Sequence, residues 1–106
     1  MNIFDLYLDK IITIVKKAKI DGILENIENL NGVNVDIPPQ KFNCDISTNV
    51  AMVLSKPNNK PPIELANNLV KLIGKDNDIE NILVAKPGFI NIKFKLNFWN
   101  KFLKEI

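Results

Sequence analysis

Phe89, Asn91, Lys93 and Lys95 recur at every second position after Pro87-Gly88. In an extended strand this spacing puts all four on one side of the chain. An aromatic ring can stack on an unpaired base, an amide can donate to and accept from the base edge, and ammonium groups can neutralise nearby phosphates. The set therefore has the chemistry of a surface for unpaired RNA. It also suits a plainer role, in which Phe89 covers a sheet edge and the lysines are simply solvated. Lys86, Lys101 and Lys104 are secondary candidates for phosphate contact.

Elsewhere the residue inventory argues against catalysis. The chain contains no His, and all 14 of its basic residues are Lys. The commonest general base, Ser-His and Cys-His arrangements and bidentate Arg readout are all missing. Asp45, Ser47, Thr48 and Asn49 resemble an acid and nucleophile cluster, but no base can activate a hydroxyl, and helix capping accounts for their types. Cys44, the single cysteine, can form neither an intrachain disulfide nor a multi-cysteine zinc site. Asp76 and Asp78 flank Asn77 as in a calcium loop, yet Pro87 occupies the twelfth position, where an acidic ligand is needed; a solvated connection fits better. No catalytic residue, metal or cofactor is expected within the chain.

The candidate strand must be positioned by its neighbours. Pro87 and Gly88 fit a type II turn with positive φ at the glycine, joining Ile79–Lys86 to a strand whose core face carries Ile90, Ile92, Phe94 and Leu96. Phe4, Leu8, Ile11, Val15 and Ala18 mark an amphipathic first helix running towards Gly22, with a further helical turn or two before Asn31-Gly32. Val33–Ile37 alternates as a short strand ended by Pro38-Pro39. A helix is expected to begin around Asp45 to Ser47. Pro61-Pro62 opens another, with Ile63, Ala66, Leu69, Val70 and Ile73 on its apolar face and Gly74 as its stop. Asn97 is placed to cap a last helix bearing Phe98, Phe102 and Ile106.

At 106 residues, 46% hydrophobic and 25% charged, the chain fits one globular α+β domain, with helices packed on a small antiparallel sheet of three to four strands. Its apolar runs are too short for a membrane span, no membrane partner is expected, and without a recognisable export signal a cytoplasmic location is the default. The net charge of +2 is too small to imply nucleic-acid binding by itself, so a local patch has to carry that argument.

Three ordered segments, Asn43-Cys44-Asp45-Ile46-Ser47-Thr48-Asn49-Val50-Ala51-Met52-Val53-Leu54, Lys60-Pro61-Pro62-Ile63-Glu64-Leu65-Ala66 and Ala85-Lys86-Pro87-Gly88-Phe89-Ile90-Asn91, resemble the N-terminal additional domain of arginyl-tRNA synthetase. The resemblance covers essentially the whole chain. It implies a module that binds the D-loop at the elbow of tRNA(Arg), with Phe89 and Asn91 at the family's base-recognition positions. It also implies a catalytic domain of the same full-length chain that uses ATP and arginine, since the His-x-Gly-His and Lys-Met-Ser-Lys-Ser elements are missing here. Residues 1–96 would form the module, and 97–106 the start of a linker helix towards that catalytic domain. Cys44 stands where the family usually has Gly; were positive φ required there, the cysteine would be strained. The rival reading is a protein-interaction or self-association module that docks through Phe98, Phe102 and Ile106 of the last helix.

Overall fold

The computed structural model describes residues 2–27 and 29–104. The first helix, α1, spans Ile3–Ile20 and begins where the Asn2 side chain accepts a hydrogen bond from the Asp5 N–H at 2.8 Å. It buries Tyr7, Ile11, Val15 and Ala18, close to the stripe expected from spacing, with Phe4 and Leu8 packed at its margin.

Gly22, at φ 81, takes the left-handed position after the helix. The Gly22 and Ile23 N–H groups then return to the carbonyls of Lys19 and Ala18. This pair of bonds satisfies the helix end and stops it.

Among the described residues, the helical turns expected after Gly22 do not form. Asn58, buried in the loop after the second helix, accepts from the Glu25 and Asn26 N–H groups and donates to the carbonyls of Asn26 and Leu54. Backbone groups held by a distant side chain have no need of helical partners.

The sheet has four antiparallel strands in the order β1 (Val35–Asp36), β2 (Ile46–Thr48), β4 (Phe89–Phe94) and β3 (Ile79–Ala85). A 3₁₀ turn at Gln40–Phe42 lies between β1 and β2. Helices α2 (Val50–Ser55) and α3 (Pro62–Ile73) follow β2, and α4 (Leu96–Lys104) follows β4. Across the ladders, Ile46 pairs with Ile92, Thr48 with Ile90, and Ile82 and Val84 with Ile92 and Ile90. These residues share the face that carries the core, where Leu54, Leu65, Leu69 and Ile73 are fully buried. The α+β class and the single core therefore stand as expected.

Three local expectations are corrected. Ile46–Thr48 is a central strand, not a helix start, because Ile46 and Thr48 fill the core face opposite Ile92 and Ile90. Asn49 makes no cap; its side chain accepts from the Asn34 N–H and donates to the Gly32 carbonyl, tying the chain before β1 to α2. The hairpin turn is not type II, since the Lys86–Pro87 peptide is cis and Gly88 does not have positive φ. Gly88 is needed for space: a Cβ there would lie 2.7 Å from Pro62 Cβ and 3.2 Å from Met52 Cγ.

The end of β4 also differs. The strand stops at Phe94, so Leu96 belongs to α4 and is 73% exposed instead of joining the core. Asn97 sits inside that helix, not at its cap, and the Phe98 N–H returns to the Lys95 carbonyl. Phe98 stacks on Phe94 at 4.3 Å and on Phe102 at 5.9 Å, with Trp99 edge-on to all three. The rings proposed to dock on a partner thus pack on their own domain; Ile106 lies outside the described residues.

Candidate nucleic-acid interface

The second face of the sheet carries Ser47, Asn91 and Leu83 side by side, flanked by Phe89 opposite Ala85 and Lys93 opposite Asn81. Between β1 and β2 the chain runs through Ile37-Pro38-Pro39 and the 3₁₀ turn. Together with the hairpin this strap encloses a groove of about 510 Å³. From the sheet and hairpin the groove receives Ser47, Ala85, Lys86, Phe89 and Asn91, and from the strap Pro38, Pro39, Lys41 and Phe42. Asn34, Asn49 and Met52 complete the lining with Asp36 and Ile37.

Asn91 is the unusual residue. It is 1% exposed, and both its carboxamide oxygen and nitrogen are buried without a hydrogen-bond partner. An unsatisfied buried amide costs roughly 1–3 kcal/mol, so its persistence at the groove floor calls for a function. An apolar residue would pack there at lower cost. What the position provides is one free acceptor and two free donors in a water-poor setting, where a hydrogen bond to a ligand is strong.

The remaining groups suit a nucleotide. Phe89, 38% exposed, keeps a large part of its ring available at the turn. Lys41 and Lys86 are exposed cations on the lining, against one carboxylate, Asp36, which accepts from the Ile37 N–H at 2.8 Å. Lys41 Nζ lies 5.1 Å above the Phe42 ring, placing a charge and an aromatic surface together.

The seven residues singled out by sequence separate into groups. Phe89, Asn91 and Lys86 meet in the groove. Lys93 shares their face but pairs with Glu80 at 3.8 Å and does not line it. Lys95 does not extend the row: the strand has ended, and Lys95 instead lines a separate depression of about 520 Å³ with Asn97, Asn100, Lys101 and Lys104. There Lys101 donates to Asp78 at 2.6 Å.

The loop carboxylates also have tertiary partners. Asp76 accepts from the Tyr7 hydroxyl at 2.8 Å and from Lys10 at 3.5 Å, so this connection is tied to α1 and not merely solvated. Burial pushes the Asp76 carboxyl up, but the Asp78 N–H, Tyr7 hydroxyl and Lys10 together hold it below the usual carboxylate range.

Lys41 and Phe42 were missed as site residues because they follow Pro38-Pro39 in an apparent loop. An aromatic directly beside a cation was the available signal. The condition for strain at Cys44 is not met: Cys44 does not take positive φ, and its neighbour Asn43 does, at φ 50. Burial and then Asp45 push the Cys44 thiol up while Lys93 pulls it down; the net shift is upward, against a reactive thiolate.

A family model described as "Arginyl tRNA synthetase N terminal domain" matches residues 8–94. The chain is 67% identical, over its whole length, to part of the arginine–tRNA ligase of Pelagibacter ubique (strain HTCC1062), of which it covers 18%. It is 39% identical to the arginine–tRNA ligase of Bartonella bacilliformis over 98% of its own length and 18% of that protein's. Against the Rhizobium meliloti enzyme it is 36% identical over 85% of its length, covering 17% of that relative. The chain thus spans less than a fifth of the length of each of these relatives.

Proposed function

The chain belongs to the arginyl-tRNA synthetase N-terminal domain family, and from that premise we propose that its groove receives an unpaired D-loop nucleotide at the elbow of tRNA(Arg). The unpartnered Asn91 amide carries this reading. In the complex its donors and acceptor meet a base edge, Phe89 covers part of the base, and Lys86 meets a neighbouring phosphate. The base-edge contact gives discrimination, whereas the cation gives affinity that falls with salt.

Binding of this kind places tRNA and leaves the chemistry to another part of a class I arginine–tRNA ligase. ATP and arginine would be bound in a catalytic domain to which α4 leads, and Lys95 and Lys104 at the start and end of that helix would track the RNA backbone. Such a ligase would act in the cytoplasm; among the described residues no helix is long and apolar enough to cross a membrane.

The test is titration of a tRNA(Arg) transcript with the wild-type chain and with Phe89→Ala at low salt. A loss of about 1–3 kcal/mol is expected, the scale of one stacking contact. Equal affinities would exclude the groove as the tRNA site.

A further inference from the structure

We propose that the Ile37–Phe42 strap is the second half of the nucleotide site, with Phe42 making an apolar contact to the bound nucleotide and Lys41 meeting its phosphate. The inference rests on the groove's being the tRNA site. Phe42 lines that groove while half-buried, and its ring is not among the described residues that pack on the central core. A large ring without a core role, directly beneath an exposed cation, matches the paired apolar and charged demands of a nucleotide.

The strap is also held in place. On its near side Asp36 pairs with Ser47. Within it, the Phe42 and Asn43 N–H groups close on the carbonyls of Pro39 and Gln40. Beyond it, Asn43 turns the chain through left-handed φ, and Asp45 fastens it to β4, donating its N–H to the Ile92 carbonyl and accepting the Phe94 N–H at 2.8 Å each. Pro38 and Pro39 restrict the entering backbone. Lys41 and Phe42 are therefore presented by a pre-ordered support, which lowers the entropy lost on binding.

The experiment titrates the tRNA(Arg) transcript with the wild-type chain and with Phe42→Leu, Phe42→Tyr, Lys41→Gln and Phe89→Leu, each checked for folding by circular dichroism. Phe42→Leu is expected to weaken binding roughly tenfold, and Phe42→Tyr to retain most of the affinity. Lys41→Gln should reduce the slope of log affinity against log salt by about 1. If Phe89→Leu weakens binding while the Phe42 and Lys41 variants match wild type, the strap is inert and the proposal fails, although the groove remains the tRNA site. If Phe89→Leu is also without effect, both readings fail. Should Phe42→Leu not fold, the exposed Lys41 decides: an unchanged salt slope overturns the proposal.

Discussion

Asn91 stands directly opposite Ser47 in the pairing of β2 with β4, and these two buried polar residues occupy the sheet face turned away from the core. Ile90 and Ile92, on either side of Asn91, are completely buried on the opposite face. One strand thus anchors the domain with alternate side chains, while the residue between them lines the groove on the other face.

Replacing Asn91 with Leu should separate stability from binding. Removing an unsatisfied buried amide is expected to stabilise the free domain by about 1 kcal/mol in urea unfolding. The same change should weaken tRNA(Arg) binding by about 1–3 kcal/mol, through loss of the base-edge contact. A variant that is less stable than wild type would indicate that the amide is satisfied in solution.

Lys86 and Lys93 should differ in their response to salt. Lys86 is exposed on the groove lining, so Lys86→Gln is expected to lower the salt slope of tRNA binding by about 1. Lys93 is engaged with Glu80 and lies off the groove, so Lys93→Gln should have the smaller effect. The comparison is read from affinities across a potassium chloride series.

Gly88→Ala should disturb the turn through crowding. Its new methyl would press into Pro62 and Met52, costing about 1–3 kcal/mol of stability and displacing Phe89. Urea unfolding and tRNA titration should therefore both change.

Asn58→Ala should cost roughly 2–4 kcal/mol, because the four side-chain hydrogen bonds to backbone groups of Glu25, Asn26 and Leu54 are lost. Hydrogen exchange is expected to accelerate first at Glu25 and Asn26.

Asp76 and Tyr7 set opposite ends of the pH response. A carboxyl held below its ordinary value contributes stability above that value, and the contribution disappears as pH falls through the depressed one. The wild-type chain should thus lose stability below about pH 4 more steeply than Asp76→Asn. For Tyr7, burial first, then its hydrogen bond to Asp76 and the charges of Asp76 and Asp78, raise the hydroxyl above the ordinary 10.0. Its stabilisation is complete below that pH and declines above it. Because Tyr7 is the only tyrosine, ultraviolet difference absorbance should show phenolate appearing together with alkaline unfolding.

The elements legible in the sequence were those whose own periodicity determines them. Ile11, Val15 and Ala18 mark the buried side of α1, Leu69 and Ile73 that of α3, and alternation from Phe89 to Phe94 separates the two faces of β4. Ile46–Thr48 was misread because three residues are too few for a period, and Asp45 and Asn49 carry cap chemistry that the tertiary structure uses elsewhere. Phe89, Asn91 and Lys86 were identifiable from the hairpin, but the groove that joins them to Lys41 and Phe42 depends on a long-range crossing of the strap. No local spacing encodes that crossing. Lys95 was misplaced because alternation cannot signal where a strand stops.

The aromatic column at the far end of β4 has an optical consequence. Trp99 is the only tryptophan, and it sits 5.9 Å from Phe94 while the groove opens beside Phe89, at the other end of the same strand. Its emission therefore provides a built-in beacon for strain transmitted along β4. A short unpaired oligonucleotide that fills the groove without altering that glow would bind a stiff sheet, whereas a shift in colour would report that occupancy is felt at the root of α4.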